Sequence, residues 1–393
     1  MARASRVGLG SVPVTESFVV DVADSDLADL RARLDRVRLP EPETVPDETQ
    51  GLGLRQLSAL LATWRDQDWR AREARWNAIP QYRVLLDGLR IAFWHVRSPE
   101  PTALPLLLTH GWPGSVLEFE DLLGPLTDPV AHGGHARDAF HVVVPSLPGF
   151  GFSDRPREQG WHPGRTARAW AELMTVLGYE RFGAHGGDWG AAVSTELALV
   201  APERVAGLHL TMPLASPLPE DRISPDPAQQ RVLDKRDVHL MDGYGFGMLM
   251  GTRPQTIGYS LLDSPAGLAA WLGEKFAAYS DGVSLAQQVD TIALYWLTGT
   301  GASSSRWYWE AMRWMPRGAE EENARPVTVP TACSLFPADP WPTARRWAER
   351  RYLDLRSWND MDRGGHFPGL EHPDLLVTEI RDAFRHTRPT AGA

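Results

Sequence analysis

Residues 182–190 read Phe-Gly-Ala-His-Gly-Gly-Asp-Trp-Gly, and Ala191-Ala192-Val193-Ser194-Thr195-Glu196-Leu197-Ala198 follows directly. An apolar, glycine-rich approach, a tight turn and a run suited to helix give strand, turn, helix. Gly186 and Gly190 flank Asp188 at a spacing of two on each side. That is the spacing of a nucleophile elbow, a strained turn in which only small neighbours fit. The common elbow carries Ser at its centre. Here the central residue is Asp188, and Gly-x-Ser-x-Gly occurs nowhere in the chain. A serine esterase is therefore disfavoured. Asp188 could also be an ordinary turn aspartate, so its surroundings must decide.

Short continuous apolar runs lie on both sides of the elbow. Pro105–Thr109, Phe140–Pro145 and Val205–Leu210 read as strands buried on both faces. Helical patterns separate them at Glu118–Leu123 and within Trp161–Gly178. Strands alternating with helices predict an α/β fold, a mostly parallel sheet with helices on both faces. From about Pro213 to Arg325 the alternation stops, and the pattern is helical and aromatic. It resumes with a strand over Val329–Phe336, a weak one over Arg356–Asn359 and a closing helix over Pro373–Phe384. Residues 213–325 thus read as a helical cap inserted into a core of 99–212 and 326–393. Ahead of the core, a strand-like run at Phe18–Val22 precedes a helix from Asp26 to Val37, with Asp24 or Ser25 available as its cap. Residues 39–53 read as a linker, and helices fit Leu54–Thr63 and Trp69–Asn77. Asp87-Gly88 between Tyr82–Leu86 and Leu89–Val96 marks a hairpin.

Composition narrows the function. The 393 residues are 43% hydrophobic, enough for one large domain with an insertion or for two domains, and the net charge of −10 without a long basic run argues against a nucleic-acid partner. The one cysteine, Cys333, rules out an intramolecular disulfide or a multi-cysteine metal site and reads as a buried hydrophobe. Met1–Ser11 lacks the apolar core of a signal peptide, and no long apolar run suggests a membrane span. A soluble cytoplasmic protein is expected. Lys235 and Lys275 are the only lysines, which with the Ala and Gly content suggests a GC-rich bacterial genome.

In such a chain the nucleophile, the acid and the histidine follow in that order. Asp188 comes first, Asp339 lies just past the resumed strand, and His366 lies in a Gly-Gly-His-Phe loop after the last strand. All three fall at the carboxyl edge of the sheet, where open α/β folds place their sites. Asp360 and Asp362 compete with Asp339 for the acid by their nearness to His366. A carboxylate nucleophile suits displacement at an sp3 carbon, giving an ester that a His-activated water then opens. The tetrahedral intermediate needs backbone N–H donors, which Trp189 and Trp112 would supply.

His110-Gly-Trp-Pro-Gly-Ser115, Gly187-Asp-Trp-Gly190 and Gly364-Gly-His-Phe367 together resemble the α/β-hydrolase-fold epoxide hydrolases of the microsomal type. Residues 14–98, with Asp68-Trp-Arg70, Glu73-Ala74, Asn77 and Pro80, resemble that family's N-terminal region, which wraps core and cap, so 1–98 is taken as that region. Arg253-Pro-Gln-Thr256 and Asp263–Trp271 resemble its cap. The resemblance implies a cofactor-independent hydrolysis of a small-molecule epoxide by water, with no metal, and it allows a homodimer. It also implies two cap tyrosines that hold the epoxide oxygen. Tyr308 matches one of them. At the other position the chain has Gly245-Phe246, so either Tyr244 replaces the missing hydroxyl or Tyr308 works alone, with water. The cap tryptophans Trp271, Trp296, Trp307, Trp309 and Trp314 suit core packing, and any that line the pocket would favour a bulky aromatic or apolar epoxide. Detoxification and natural-product biosynthesis are both open as roles. The rival readings are a haloalkane dehalogenase with the same Asp elbow and a hydrolase scaffold kept for binding alone.

Overall fold

The computed structural model describes residues 14–385 and Thr387. Met1–Ser11, read above for a leader, lies outside the described residues. A nine-stranded sheet forms the centre of these residues, in the order β1-β2-β3-β5-β4-β6-β7-β8-β9. Its strands are β1 (Glu16–Ser17), β2 (Gln81–Leu86), β3 (Leu89–Val96), β4 (Leu104–Thr109), β5 (Phe140–Pro145), β6 (Phe182–Gly186), β7 (Val205–Leu210), β8 (Thr331–Leu335) and β9 (Leu355–Asp360). From β5 to β9 every pairing is parallel, whereas β1, β2 and β3 join antiparallel. Leu106, Leu107 and Leu108 of β4 are wholly buried, as a strand covered on both faces requires. Asp87 (φ 44°) and Gly88 (φ 84°) form the left-handed pair of a tight hairpin turn between β2 and β3. Under the elbow strand, His185 and His209 meet at 2.9 Å, and His209 continues to Ser334 (2.9 Å) and Ser334 to Glu379 (2.6 Å). This buried polar chain ties β6, β7 and β8 to the last helix.

Three helices precede the core: α1 (Asp24–Leu34), α2 (Leu54–Arg65) and α3 (Trp69–Asn77). β1 lies at Glu16–Ser17, just ahead of Phe18–Val22, where the expected strand does not form. Side chains of α3 take its place as partners. Asn77 bonds both N–H and C=O of Val20 at 2.8 Å, and Glu73 accepts from Val22 N at 2.8 Å. Neither Asp24 nor Ser25 caps α1. Its N-cap is Ala23, without a side-chain bond, and Asp24 pairs with Arg70 instead. The helix expected at Glu118–Leu123 starts as a 3-10 turn at Val116–Phe119, capped by Ser115, and continues as α4 (Glu120–Thr127).

Helices α5 (Pro163–Val176) and α6 (Asp188–Val200) flank the elbow strand. Between β7 and β8 the chain is helical, with α7 (Pro227–Val238), α8 (Gly245–Thr252), α9 (Pro254–Asp263), α10 (Pro265–Tyr279), α11 (Leu285–Thr298), α12 (Gly301–Trp314) and α13 (Ala319–Asn323). The N-terminal helices grip this segment. Arg33 bonds Asp263, and the buried Asp290 receives Gln67 (2.5 Å), Arg72 (3.1 Å) and Arg75 (3.3 Å). From the other side, Tyr295 Oη donates to Gly114 O at 2.8 Å and Ser303 Oγ to Gly149 O at 2.6 Å. The helical segment is thereby held over the loops that follow β4 and β5.

Candidate active site

β6 ends at Gly186, and α6 begins at Asp188 with φ at 48°. Among the described residues only Asp87 shares a positive φ without being glycine. Left-handed backbone costs a Cβ-bearing residue on the order of 1 kcal/mol or more, so this turn holds strain at one chosen side chain. The flanking glycines allow the turn. A Cβ on Gly190 would sit 1.8 Å from Thr109 O, and one on Gly186 would sit 2.3 Å from the Gly190 carbonyl. Thr109 pairs with Gly186, so the ends of β4 and β6 lie side by side. The loop after β4 is thereby brought against Asp188. Trp112 N donates to Asp188 Oδ1 at 2.8 Å, and a Cβ on Gly111 would collide with the same carboxylate at 2.1 Å. The Trp112–Pro113 peptide is cis. His110 braces this loop, with Nδ1 against Gly111 O (2.9 Å) and Nε2 accepting from Leu147 N (3.1 Å). Burial pulls its pKa down to about 4, so the ring is neutral. Trp189 is the second residue of α6, where a helix leaves backbone N–H groups without an intrahelical acceptor.

Of the three acidic candidates, the loop after β8 presents Asp339. His366 Nδ1 donates to Asp339 Oδ2 at 2.8 Å, while the other Asp339 oxygen accepts from Trp341 N at 2.8 Å. Asp360 lies in β9, and Asp362 faces Arg363 at 3.9 Å in an exposed pair. His366 Nε2 lies 3.5 Å from Asp188 Oδ2. Burial pulls the imidazole pKa down, yet Asp339 and Asp188 together outweigh it and leave the value well above its ordinary one. The His366 backbone N–H donates to Tyr279 O at 2.8 Å, so the loop is anchored to the end of α10.

A cavity of about 380 Å³ opens from Asp188 and His366 under the helical segment. Tyr308 of α12 packs edge-on against Trp112 (5.6 Å) and Trp189 (4.9 Å), directly over the elbow. Burial first, and then the Asp188 charge, holds its phenol well above the usual value, so it stays protonated. Tyr244 also lines the cavity. It packs 5.4 Å from Phe246 and 5.6 Å from His239, and its hydroxyl has no hydrogen-bond partner among the described residues. Burial, then Asp188, pushes its pKa up to about 12. Phe246 stacks on Trp112 at 5.2 Å. A third phenol, Tyr279, was not singled out by sequence. Its hydroxyl donates to Gly243 O (3.2 Å) and receives Lys275 Nζ (3.4 Å), whose ammonium also lies over the Phe246 ring at 3.9 Å. None of the five tryptophans weighed for the cap is among the lining residues; the indoles that do line the cavity are Trp112, Trp189 and Trp341, from core loops. Trp307 packs one layer behind, 6.4 Å from Trp189.

Glu118 is a further residue the sequence did not single out. Its Oε1 occupies the space a Cβ would take on Gly114, 1.4 Å from that position. The carboxyl, Asp188 and His366 share the wall of a small void of about 10 Å³, roughly the room one water needs. Burial pushes Glu118 up to about 8, with the Asp188 charge adding to it and His366 opposing. The Ser115-x-x-Glu118 spacing announces a helix cap, which hid this second setting.

Fold and elbow together define a hydrolase of the α/β-hydrolase fold, with Asp rather than Ser at the turn. Residues 105–241 match the family model for that fold, and residues 15–119 match the model described as "Epoxide hydrolase N terminus". The chain belongs to the epoxide hydrolase family. It is 48% identical over 381 residues to a Stigmatella aurantiaca protein named "Putative epoxide hydrolase", covering 94% of this chain and 85% of that one. It is 34% identical over 416 residues to epoxide hydrolase 1 of Oryctolagus cuniculus, covering 95% and 90%. Among solved structures, the Aspergillus niger epoxide hydrolase superposes with a TM-score of 0.84 at 29% identity, covering 95% of this chain and 97% of that one. The juvenile hormone epoxide hydrolase of Bombyx mori superposes at 0.87 with 26% identity, covering 95% of each. The likeness to the microsomal type stands. No helix among the described residues is long and apolar enough to cross a membrane.

Proposed function

We propose that this epoxide hydrolase converts a bulky aromatic or apolar epoxide to a vicinal diol through an ester on Asp188. The observation that carries the reading is the Asp188 carboxylate, whose two oxygens have different partners. Oδ1 accepts from Trp112 N–H at 2.8 Å, while Oδ2 lies 3.5 Å from His366. Oδ2 attacks one ring carbon, the ring C–O bond breaks, and the freed oxygen takes the Tyr308 proton. Alkylation removes one of the two anions that hold the proton on His366; the ring then gives that proton to solvent and is free to act as a base, and it takes a proton back from solvent once Asp188 is an anion again. His366 then takes a proton from water as the water oxygen bonds to the Asp188 carboxyl carbon. Trp112 N–H and Trp189 N–H hold the oxyanion, and Asp339 holds the imidazolium. Collapse breaks the bond to Oδ2, and His366 returns its proton to the departing oxygen. The second water proton, left on the re-formed Asp188 carboxyl, restores the Tyr308 phenol. In this reading residues 1–98 are the N-terminal region, whose described part, from Val14 on, wraps the core (99–212 and 326–393) and the cap (213–325).

Tyr308 packs on both elbow-side indoles, Trp112 and Trp189, whereas the ring contacts of Tyr244 are to Phe246, His239 and Trp341. Tyr308→Phe is therefore expected to lower kcat/KM about 100-fold or more, and Tyr244→Phe about 10-fold or less. Steady-state kinetics on an aryl epoxide checks this, and equal losses would make the two phenols equal partners. We assign Glu118 the task of holding the attacking water. Its carboxyl is neutral below about pH 8. Above that pH a second negative charge enters the small void and opposes the anionic intermediate. The wild type should therefore lose kcat above about pH 8, and Glu118→Gln, which cannot ionise, should keep a flat alkaline profile with a loss of about 10-fold at neutral pH. An alkaline limb that persists in the variant would remove Glu118 from the step. The reading as a whole is tested with styrene oxide and a chloroalkane side by side. Diol without chloride release supports it, while chloride release would favour a dehalogenase and inertness toward both a binding protein.

A further inference from the structure

The wall of the main cavity changes character beyond the aromatic residues, where Ser216, Arg236, Arg317 and Glu322 line it. Arg236, on α7, is only 6% exposed, which is rare for a guanidinium without a carboxylate. Nη1 donates to Ala215 O at 3.1 Å, and the guanidinium lies 4.4 Å from the Trp341 ring and 5.8 Å from the Trp347 ring. Among the described residues Arg236 has no ion-pair partner. Glu322 is the carboxylate whose charge acts most on it, without closing to an ion pair, and the acids around it are engaged elsewhere. Glu322 accepts from Ser216 N (2.7 Å) and Oγ (2.9 Å) and faces Arg351 at 3.8 Å, and Asp237 pairs with Arg222 at 3.0 Å. Arg317, exposed at the solvent side, adds a second cation. Burial pulls the Arg236 pKa down only to about 10, so the group is charged at neutral pH.

A guanidinium has five N–H donors in a plane that suits a carboxylate. Arg236 spends one of them on Ala215, bonds no other acceptor among the described residues, and lines the cavity. We propose that this end of the cavity is a carboxylate subsite, and that the preferred epoxide carries a carboxylate at the end remote from its ring. The inference rests on the same cavity being the epoxide site, and it narrows the substrate to an acid with an apolar or aromatic body.

The test is calorimetric titration with ω-phenylalkanoates of about two to six chain carbons and with their primary amides, which have the same shape but no charge. At least one acid should bind wild type about 10-fold or more tighter than its amide. Arg236→Gln should erase that difference by weakening the acid while leaving the affinity of the amide unchanged. Amides that bind as well as acids, or a preference that survives in Arg236→Gln, would overturn the subsite. Should the variant not fold, wild type alone decides. The acids must compete with styrene oxide hydrolysis more strongly than the amides do, and equal competition refutes the proposal. Titration needs no turnover, so acid binding without diol formation would sink the hydrolytic reading and leave the subsite standing.

Discussion

Replacing Asp188 with Gly is expected to lower kcat/KM on an aryl epoxide by about 10⁴-fold or more, because no other side chain can form the ester. The fold should survive. Glycine relieves the strain of a φ at 48°, a gain on the order of 1 kcal/mol, while the Trp112 N–H loses its acceptor at a cost of similar size. The two effects nearly cancel, so the unfolding midpoint should move by no more than about a few degrees. A variant that folds but keeps a tenth of its activity would show that Asp188 is a turn residue and not a nucleophile.

His366→Gln is expected to separate the two chemical steps. Ring opening needs Asp188 and a phenol, neither of which is removed, so one equivalent of epoxide should be consumed at near the wild-type rate. Ester hydrolysis needs the imidazole, so steady-state turnover should fall by about 10⁴-fold and the alkyl-enzyme should accumulate. Intact-protein mass spectrometry would show one added substrate mass, and digestion would put it on the peptide that contains Asp188. An inactive variant with no adduct would mean that His366 serves the first step instead.

The part of this arrangement written locally in the chain was legible. The elbow declares itself because Gly186 and Gly190 can be nothing larger beside Thr109 and each other. The buried strands β4, β5 and β7 declare themselves by continuous apolar runs, and β9 is faint because it is a partly exposed edge. What depends on contacts distant in sequence was not legible. Asp339 was favoured by its place at a strand end, but Asp360 and Asp362 stand nearer His366 in sequence, and only the fold of the loop after β8 aims Asp339 at the ring. The run at Phe18–Val22 has strand composition, but Asn77 and Glu73 take its backbone groups. Glu118 hides as a helix cap. Arg236 is one arginine among many until its burial against Trp341 is seen. The cap tryptophans read first as core packing, and none of the five reached the wall of this cavity, though indole area alone fits a pocket and a core equally well.

The central claim is the covalent ester on Asp188, and a single turnover with excess enzyme in oxygen-18 water tests it most directly. Styrene oxide is the probe, and both the diol and the Asp188 peptide are weighed. The ester route predicts an unlabelled first-turnover diol and one oxygen-18 in the Asp188 peptide, because water enters at the carboxyl carbon. A labelled diol with an unlabelled Asp188 peptide would mean that water attacks the epoxide itself, and the account would be wrong.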